Sequence, residues 1–318
     1  MVLPRFVVRM ISLGMIFLGT AAASGQDYPN KPIRWVTSAP GGGGDFLSRL
    51  IAQGISGSLG QPVIVDNRAG AVISGTIVSK ALPDGYTLLM QSGALWIAPL
   101  LQNTPYDPVR DFSPITLAVN SPNILVVHPS LPVKSVKELI ALAKARPGEL
   151  NYGTGGTGSS PHLAAELFKA MAGVNIVRIA YKGGGPALNA LIGGEVQMTI
   201  DGTQLVPHIK SGRLRALAVT SLQPTALVPN LPAVAESLPG YESVLILSIW
   251  TPAKTPVAII NRLNQEIVRF LKTAEVKEQL FKAGVEVVGS SPEELAATVK
   301  SEMAKMGKLI KDAGIKVN

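Results

Sequence analysis

Residues 151–162 read NYGTGGTGSSPH, which sets Gly153, Gly155 and Gly158 in a G-x-G-x-x-G spacing between an apolar run and a segment of helical period. Such a spacing does phosphate chemistry when a strand runs into it and a helix starts after it, because free backbone N–H groups then face the ligand. A dinucleotide site also needs an acidic side chain about 20 positions on, to take the ribose hydroxyls. The region instead offers Arg178 and Lys182, and the next acid after Glu166 is Glu195. An arginine suits a phosphorylated ribose, so an NAD(P)-dependent dehydrogenase remains an alternative. No G-x-x-x-x-G-K-[S/T] phosphate loop occurs.

Two further glycine turns repeat the pattern: SAPGGGGDF at 38–46 and YKGGGPAL at 181–188. A helix N-terminus carries about half a positive charge and unpaired donors, so two of them facing across a cleft hold an anion without a cationic side chain. Neither the 38–46 loop nor the 151–162 loop contains Lys or Arg. Any one such loop also has a purely steric explanation, since glycine makes tight strand-to-helix turns. Three on one chain point to strand ends that line a binding cleft.

Other chemistries have less to stand on. His128, His162 and His208 are the only histidines; none lies in H-E-x-x-H, and no G-x-S-x-G elbow appears. His162 follows Ser160 by two residues and can pair with it, or it can sit in the first helical turn and hold the loop. The chain has no cysteine, which removes thiolate nucleophiles, disulfides and cysteine-held metals. We expect no catalysis, no metal and no cofactor. Trp35, Trp96 and Trp250 read as core, although Trp96, just after MQSG, is placed to line a cleft.

The elements that must position these loops alternate between strand-length apolar runs and segments of helical period, the signature of α/β architecture. Strands are expected at 33–38, 62–66, 86–91, 124–128, 150–152, 176–180, 196–200 and 214–220, with a helix at 45–55. Ser135-x-x-Glu138 and Ser291-Pro292-Glu293-Glu294 are capping boxes, and Thr255-Pro256 is a similar helix opening. Val136, Leu139, Ile140 and Ala143 fall on one helical face and read as core. Proline-rich stretches at 122–132 and 224–239 are the candidate crossovers between lobes.

Met1 to Ala23 reads as an export signal: Arg5 and Arg9 form a basic leader, Met10 to Leu18 an apolar run, and Ala21-x-Ala23 a cleavage site. The apolar run is shorter than the roughly 20 residues of a bilayer span. The mature chain is expected to begin near Ser24 or Gln26 and to work outside the cytoplasm. The formal charge of +8 includes both leader arginines, leaving 8 − 2 = +6 without a basic block. Nucleic acid is therefore not an expected partner.

In this order, YPNKPIRWVTSAPGGGGD, VDNRAGA, PDGYTLLM, PYDPVRDFSPIT, LNYGTGGTGSSPHLAAELFKAMAG, YKGGGPALNALIGGEVQM, RLRALAVTS and LPAVAESLPGYE run from about Tyr28 to the C-terminal AGIK. Together they resemble the Bug receptor family, the extracytoplasmic solute-binding proteins of tripartite tricarboxylate transporters. The resemblance implies a periplasmic binding protein of the two-lobed, type II-like kind. Each lobe is then a mainly parallel sheet covered by helices, with the ligand cleft between them. It implies a signal peptide at 1–25, a discontinuous first lobe at 26–127 plus 249–318, and a second lobe at 128–248.

The same resemblance implies capture of a small carboxylate-bearing solute, delivery to transmembrane permease subunits, and a monomeric receptor. It places ligand contacts at Pro40, Gly41, Gly42 and Asp45, at Thr154, Gly155, Ser159, Ser160 and His162, and at Asp201. Asp45 and Asp201 are then expected to orient waters or ligand polar atoms; for Asp45 a helix N-cap role is an equal alternative. Gly44 replaces the family's usual threonine, VISGT a glycine-rich run, and IWTPAKTP a more typical GLFAPAGTP. The ligand of a relative therefore does not transfer by resemblance alone. A receptor that signals to a membrane sensor has the same solute chemistry and is the other alternative.

Overall fold

The computed structural model describes residues 28–41, 43–68, 70–155 and 159–315. The expected export signal, Gly42 and Gly158 lie outside these residues. The chain runs β1 (Ile33–Thr37), α1 (Gly43–Leu59), β2 (Val63–Asn67), α2 (Ala71–Ser79), β3 (Thr87–Ser92), α3 (Ala94–Leu101) and β4 (Phe112–Pro122). It continues through β5 (Ile124–Val127), α4 (Val136–Ala145), β6 (Asn151–Thr154), α5 (Ser160–Ala172), β7 (Val177–Ala180), α6 (Gly184–Ile192) and β8 (Met198–Asp201). Then come α7 (Val206–Lys210), β9 (Arg215–Val219), β10 (Val244–Pro252), α8 (Val257–Leu271), α9 (Ala274–Lys282), β11 (Glu286–Val287) and α10 (Pro292–Asp312).

These strands form two sheets, of order β11-β4-β10-β3-β1-β2 and β7-β6-β8-β5-β9. Parallel pairing, expected to dominate each sheet, holds for β2-β1-β3 and for β7-β6-β8. The crossing strands differ: β10 runs antiparallel to both β3 and β4, β11 to β4, and β5 to both β8 and β9. Each sheet is therefore mixed. For β5, which follows β4 after Asn123 alone, there is no room for a helical crossover, so it enters against its neighbours.

Strand alternation distributes the core. Ile33, Trp35, Leu88 and Met90 pack on one face of the first sheet with Ile51 and Ile55 of α1 and Leu263 and Ile267 of α8. Their neighbours Val36 and Leu89 point to the other face, toward Leu95 of α3 and Leu309 of α10. In the second sheet Leu125 and Val127 join that same cluster with Leu139 and Phe168, while Ile124 and Val126 face Leu191 and Leu205. The period of two sends successive residues to opposite layers, and one apolar cluster thereby reaches from the first sheet into the second. Burying each such Leu, Ile or Phe stabilises the fold by about 1.5–3 kcal/mol.

Two helix starts carry the expected caps. Ser291 accepts from Glu294 N at 3.1 Å and Glu294 Oε2 accepts from Ser291 N at 2.8 Å, a closed capping box on α10. Ser135 accepts from Glu138 N at 3.2 Å, but the Glu138 carboxylate turns to Lys134 N at 2.7 Å, one residue earlier. The chain leaves the first sheet across Asn123 alone and returns between Val219 and Val244. The division expected at 127/128 and 248/249 thus cuts near these crossing strands: β5 pairs within the second sheet and β10 begins at Val244 within the first.

Candidate functional site

The C-terminal ends of β1, β2 and β3 form one edge of the first sheet, and those of β6, β7 and β8 one edge of the second. All three glycine loops leave from these edges and enter α1, α5 and α6. Between the edges the chain crosses twice, and a buried knot ties the crossings. Asn123 N donates to Thr220 Oγ1 at 2.8 Å, Thr220 Oγ1 donates to Ser243 O at 2.6 Å, and Asn123 Nδ2 donates to Ser243 O at 3.1 Å. Asn123 and Thr220 are buried.

Beside this knot lies a cavity of about 310 Å³. The end of β3 and the first turn of α3 supply Ser92, Trp96 and Ile97, and the start of α5 supplies Ser159, Ser160 and Leu163. Ser243 to Ile246, leading into β10, and Glu302 and Met306 of α10 complete it. At the two helices that start at this cavity the N-cap residues, Gly93 for α3 and Ser159 for α5, make no side-chain cap, although Ser92 Oγ accepts from Ala94 N at 3.3 Å. Ser159 Oγ is buried and has no hydrogen-bond partner among the described residues. Ser160 Oγ accepts from Asn123 Nδ2 at 3.4 Å, which ties the wall to the crossing. No Lys or Arg lines the cavity among the described residues. Two helix starts and a group of hydroxyls can hold an anionic oxygen through partial charges alone.

Trp96 is fixed from behind. It packs on Trp250 with ring centroids 6.1 Å apart, and Trp250 Nε1 donates to Ser248 Oγ at 2.8 Å. Both rings are buried, so the indole forms a rigid wall.

The remaining residues singled out in the sequence fall into two other groups. Pro40 and Gly41 are exposed at the end of β1, and Gly41 takes φ +80°. Asp45 accepts from Gly41 N at 2.9 Å and from Asn67 Nδ2 at 2.8 Å, and Arg49 Nε approaches it at 3.0 Å. The Gly41 amide, then Asn67 and Arg49, hold its carboxyl below the usual range. These partners occupy both carboxylate oxygens, so Asp45 pins its own loop.

At the second sheet, Arg178 Nε donates to Thr154 Oγ1 and Nη2 to Gly155 O, each at 3.0 Å. Gly155 faces the next loop so closely that a Cβ there would stand 3.2 Å from Gly183 C. The Asp201 carboxylate lies beside Gly184 and accepts from Gly202 N at 2.8 Å; burial raises its pKa. Thr154, Gly155 and Asp201 therefore stand together at adjacent strand ends.

His162 takes the other side of α5. It is buried, and with the half-buried Glu166, Lys169 and Arg178 and with Ala313 to Ile315 after α10 it lines a second cavity of about 320 Å³. Burial, then Arg178, pushes its imidazole down to about 4.

Of the residues singled out, Trp96, Ser159 and Ser160 line the 310 Å³ cavity; Pro40, Gly41, Asp45, Thr154, Gly155, His162 and Asp201 do not. Sequence reasoning missed Ser92, Ser243 to Ile246, Glu302 and Met306. Only the MQSG turn before Trp96 signalled that wall.

Two sheets joined by two crossings, with loops at facing strand ends, define the two-lobed α/β class of periplasmic binding proteins. The family model described as tripartite tricarboxylate transporter family receptor matches residues 47–315. The chain belongs to that family. It is 35% identical to protein BugT of Bordetella pertussis over 323 residues, covering 98% of this chain and 99% of BugT. Among solved structures, an R. palustris protein with adipate is 37% identical, with TM-score 0.76 over 91% of this chain and 99% of that one. MatC of Rhodopseudomonas palustris, with bound malate, is 28% identical, with TM-score 0.72 over 89% of this chain and 100% of that one.

Proposed function

We propose that this chain is a periplasmic receptor that captures a small carboxylate between two hinged lobes and delivers it to the membrane permease of a tripartite transporter. The observation that carries this reading is the cavity between the sheet edges, where the starts of α3 and α5 and the unpartnered Ser159 hydroxyl converge with no cation among the described lining residues. A carboxylate satisfies those donors, and the adipate and malate of its relatives are of that class.

The receptor works as a monomer, without turnover and without a cofactor. Its lobes, expected at 26–127 with 249–318 and at 128–248, exchange the chain at Asn123 and between Val219 and Val244, and they rotate about the Asn123–Thr220–Ser243 knot. Closure brings the loops of Pro40, Gly41, Gly42 and Asp45 and of Thr154, Gly155 and Asp201 toward the solute held at Ser159 and Ser160. His162 acts from behind, by fixing the start of α5. Among the described residues no helix is long and apolar enough to cross a membrane. An N-terminal signal at 1–25 sends the chain to the periplasm.

The test is a thermal-shift panel on unfolded and refolded protein, with carboxylates, amino acids and NAD(P). A ligand at about 100 times its dissociation constant adds about 2.7 kcal/mol, a rise of about 5–11 °C for a chain of this size. Solution scattering with the responding carboxylate should show compaction. A response to NAD(P) alone overturns the receptor reading in favour of a dehydrogenase.

A further inference from the structure

The wall of the 310 Å³ cavity carries chemistry beyond the carboxylate head. Away from the serines its surface comes from Trp96, Ile97, Leu163, Val244 to Ile246 and Met306. Trp96, Ile97, Leu163, Ile246 and Met306 are buried, so their apolar faces are largely removed from bulk water where they meet the cavity. They come from four separate elements, α3, α5, β10 and α10, and all belong to the apolar cluster that joins the two sheets. The polar groups at the cavity are the hydroxyls of Ser92, Ser159, Ser160 and Ser243 and the carboxylate of Glu302. Lys305 Nζ engages Glu302 at 2.6 Å.

A hydroxylated or multiply charged solute would place polar atoms against Trp96, Ile97 and Leu163, where they lose water and gain no partner. A methylene chain or an aromatic ring would instead complete the packing. We infer that the solute class of this receptor is a carboxylate with an apolar body, a medium-chain aliphatic or aromatic acid, rather than a hydroxy-acid or tricarboxylate. This inference rests on the carboxylate-receptor reading and specifies the other end of the ligand.

The experiment is titration calorimetry of the refolded full receptor with straight-chain acids from acetate to octanoate, with benzoate, and with malate and citrate. Affinity is expected to rise about fourfold for each added methylene until the cavity fills, then to level or fall. The best of the ladder or benzoate should bind at least about tenfold more tightly than malate or citrate. Leu245, 37% exposed on β10 and lining the cavity, tolerates change without loss of core. Leu245→Ser should therefore flatten the ladder while the protein still melts cooperatively. A flat ladder in the natural receptor, or tighter binding of malate or citrate, overturns the inference and leaves the carboxylate reading standing. Binding of no carboxylate at all removes both.

Discussion

Asn67, the last residue of β2, donates from Nδ2 both to Asp45 Oδ1 and to Ser38 O, each at 2.8 Å. One amide thereby holds the two sides of the β1–α1 loop against the neighbouring strand. With Gly41 N on the other carboxylate oxygen, the loop shape is set before any solute arrives. Asp45→Ala should cost about 1–2 kcal/mol, in the range of a lost helix cap with buried donors left behind. For a chain of this size that lowers the melting midpoint by about 2–4 °C per kcal/mol. An unchanged midpoint would show that the latch contributes nothing.

Ser159 should behave in the opposite way. Its buried Oγ has no partner among the described residues, so Ser159→Ala removes no bond that the described protein makes. Stability should stay within about 0.5 kcal/mol, while affinity for the best carboxylate falls about tenfold, the usual effect of one lost hydrogen bond to a charged group. Calorimetry and melting on the same variant separate the two readouts. Equal binding by variant and natural protein would place the carboxylate elsewhere.

His162 predicts an acid limb. Its pKa in the fold is about 4 against an ordinary 6.5, because burial and Arg178 disfavour the imidazolium. Between those values the unfolded chain binds more protons than the folded one, so stability is complete above about 6.5 and falls as the pH drops toward 4. The contribution to the slope is at most about 1.4 kcal/mol per pH unit. Denaturant melts of His162→Gln should lose this part of the pH dependence. A slope identical to the natural protein's would assign the acid limb to other groups.

Trp96 offers an optical report. Trp35 is buried against α1 and bonded to Ser48 Oγ at 3.0 Å, and Trp250 stands behind Trp96, so Trp96 is the indole that lines the cavity. Carboxylate binding should change the tryptophan emission, and Trp96→Phe should abolish most of that change while retaining measurable affinity. A signal that survives the substitution would mean that Trp250 or Trp35 senses binding through a wider rearrangement.

Gly54 marks where α1 meets α8. A Cβ there would stand 2.1 Å from Phe270 Cε2, which forces the ring to move. The gain in helix propensity from Gly54→Ala is about 1 kcal/mol, and overpacking costs about 1–3 kcal/mol. We expect net destabilisation, with recovery when Phe270→Leu is added. Additive losses in the double variant would place the strain elsewhere.

Much of this architecture was legible because the parallel strands read as apolar runs that end in glycine turns. The three turns announce β1–α1, β6–α5 and β7–α6 through residue type alone. The long β4 and β10 were not legible. Pro114, Asn120, Ser121 and Pro122 interrupt the alternation of β4, and β10 is buried on both faces along most of its length, so neither shows a period of two. The same gap hid most of the cavity wall, since Val244 to Ile246 lie at the start of β10 and Met306 is distant in sequence from Trp96. His162 was readable as a first-turn residue, but its burial depends on Arg178 and on the tail of α10, which only tertiary packing supplies.

The outgoing link between the sheets is a single buried residue, Asn123. One residue has only two soft backbone dihedrals, so the sheets stay tethered close together through any rotation. The serines of α5 and the indole of α3 therefore meet each other at a very high local concentration, solute or no solute. A molecule that has bound one wall does not have to search for the other, and the second set of contacts follows as an intramolecular event.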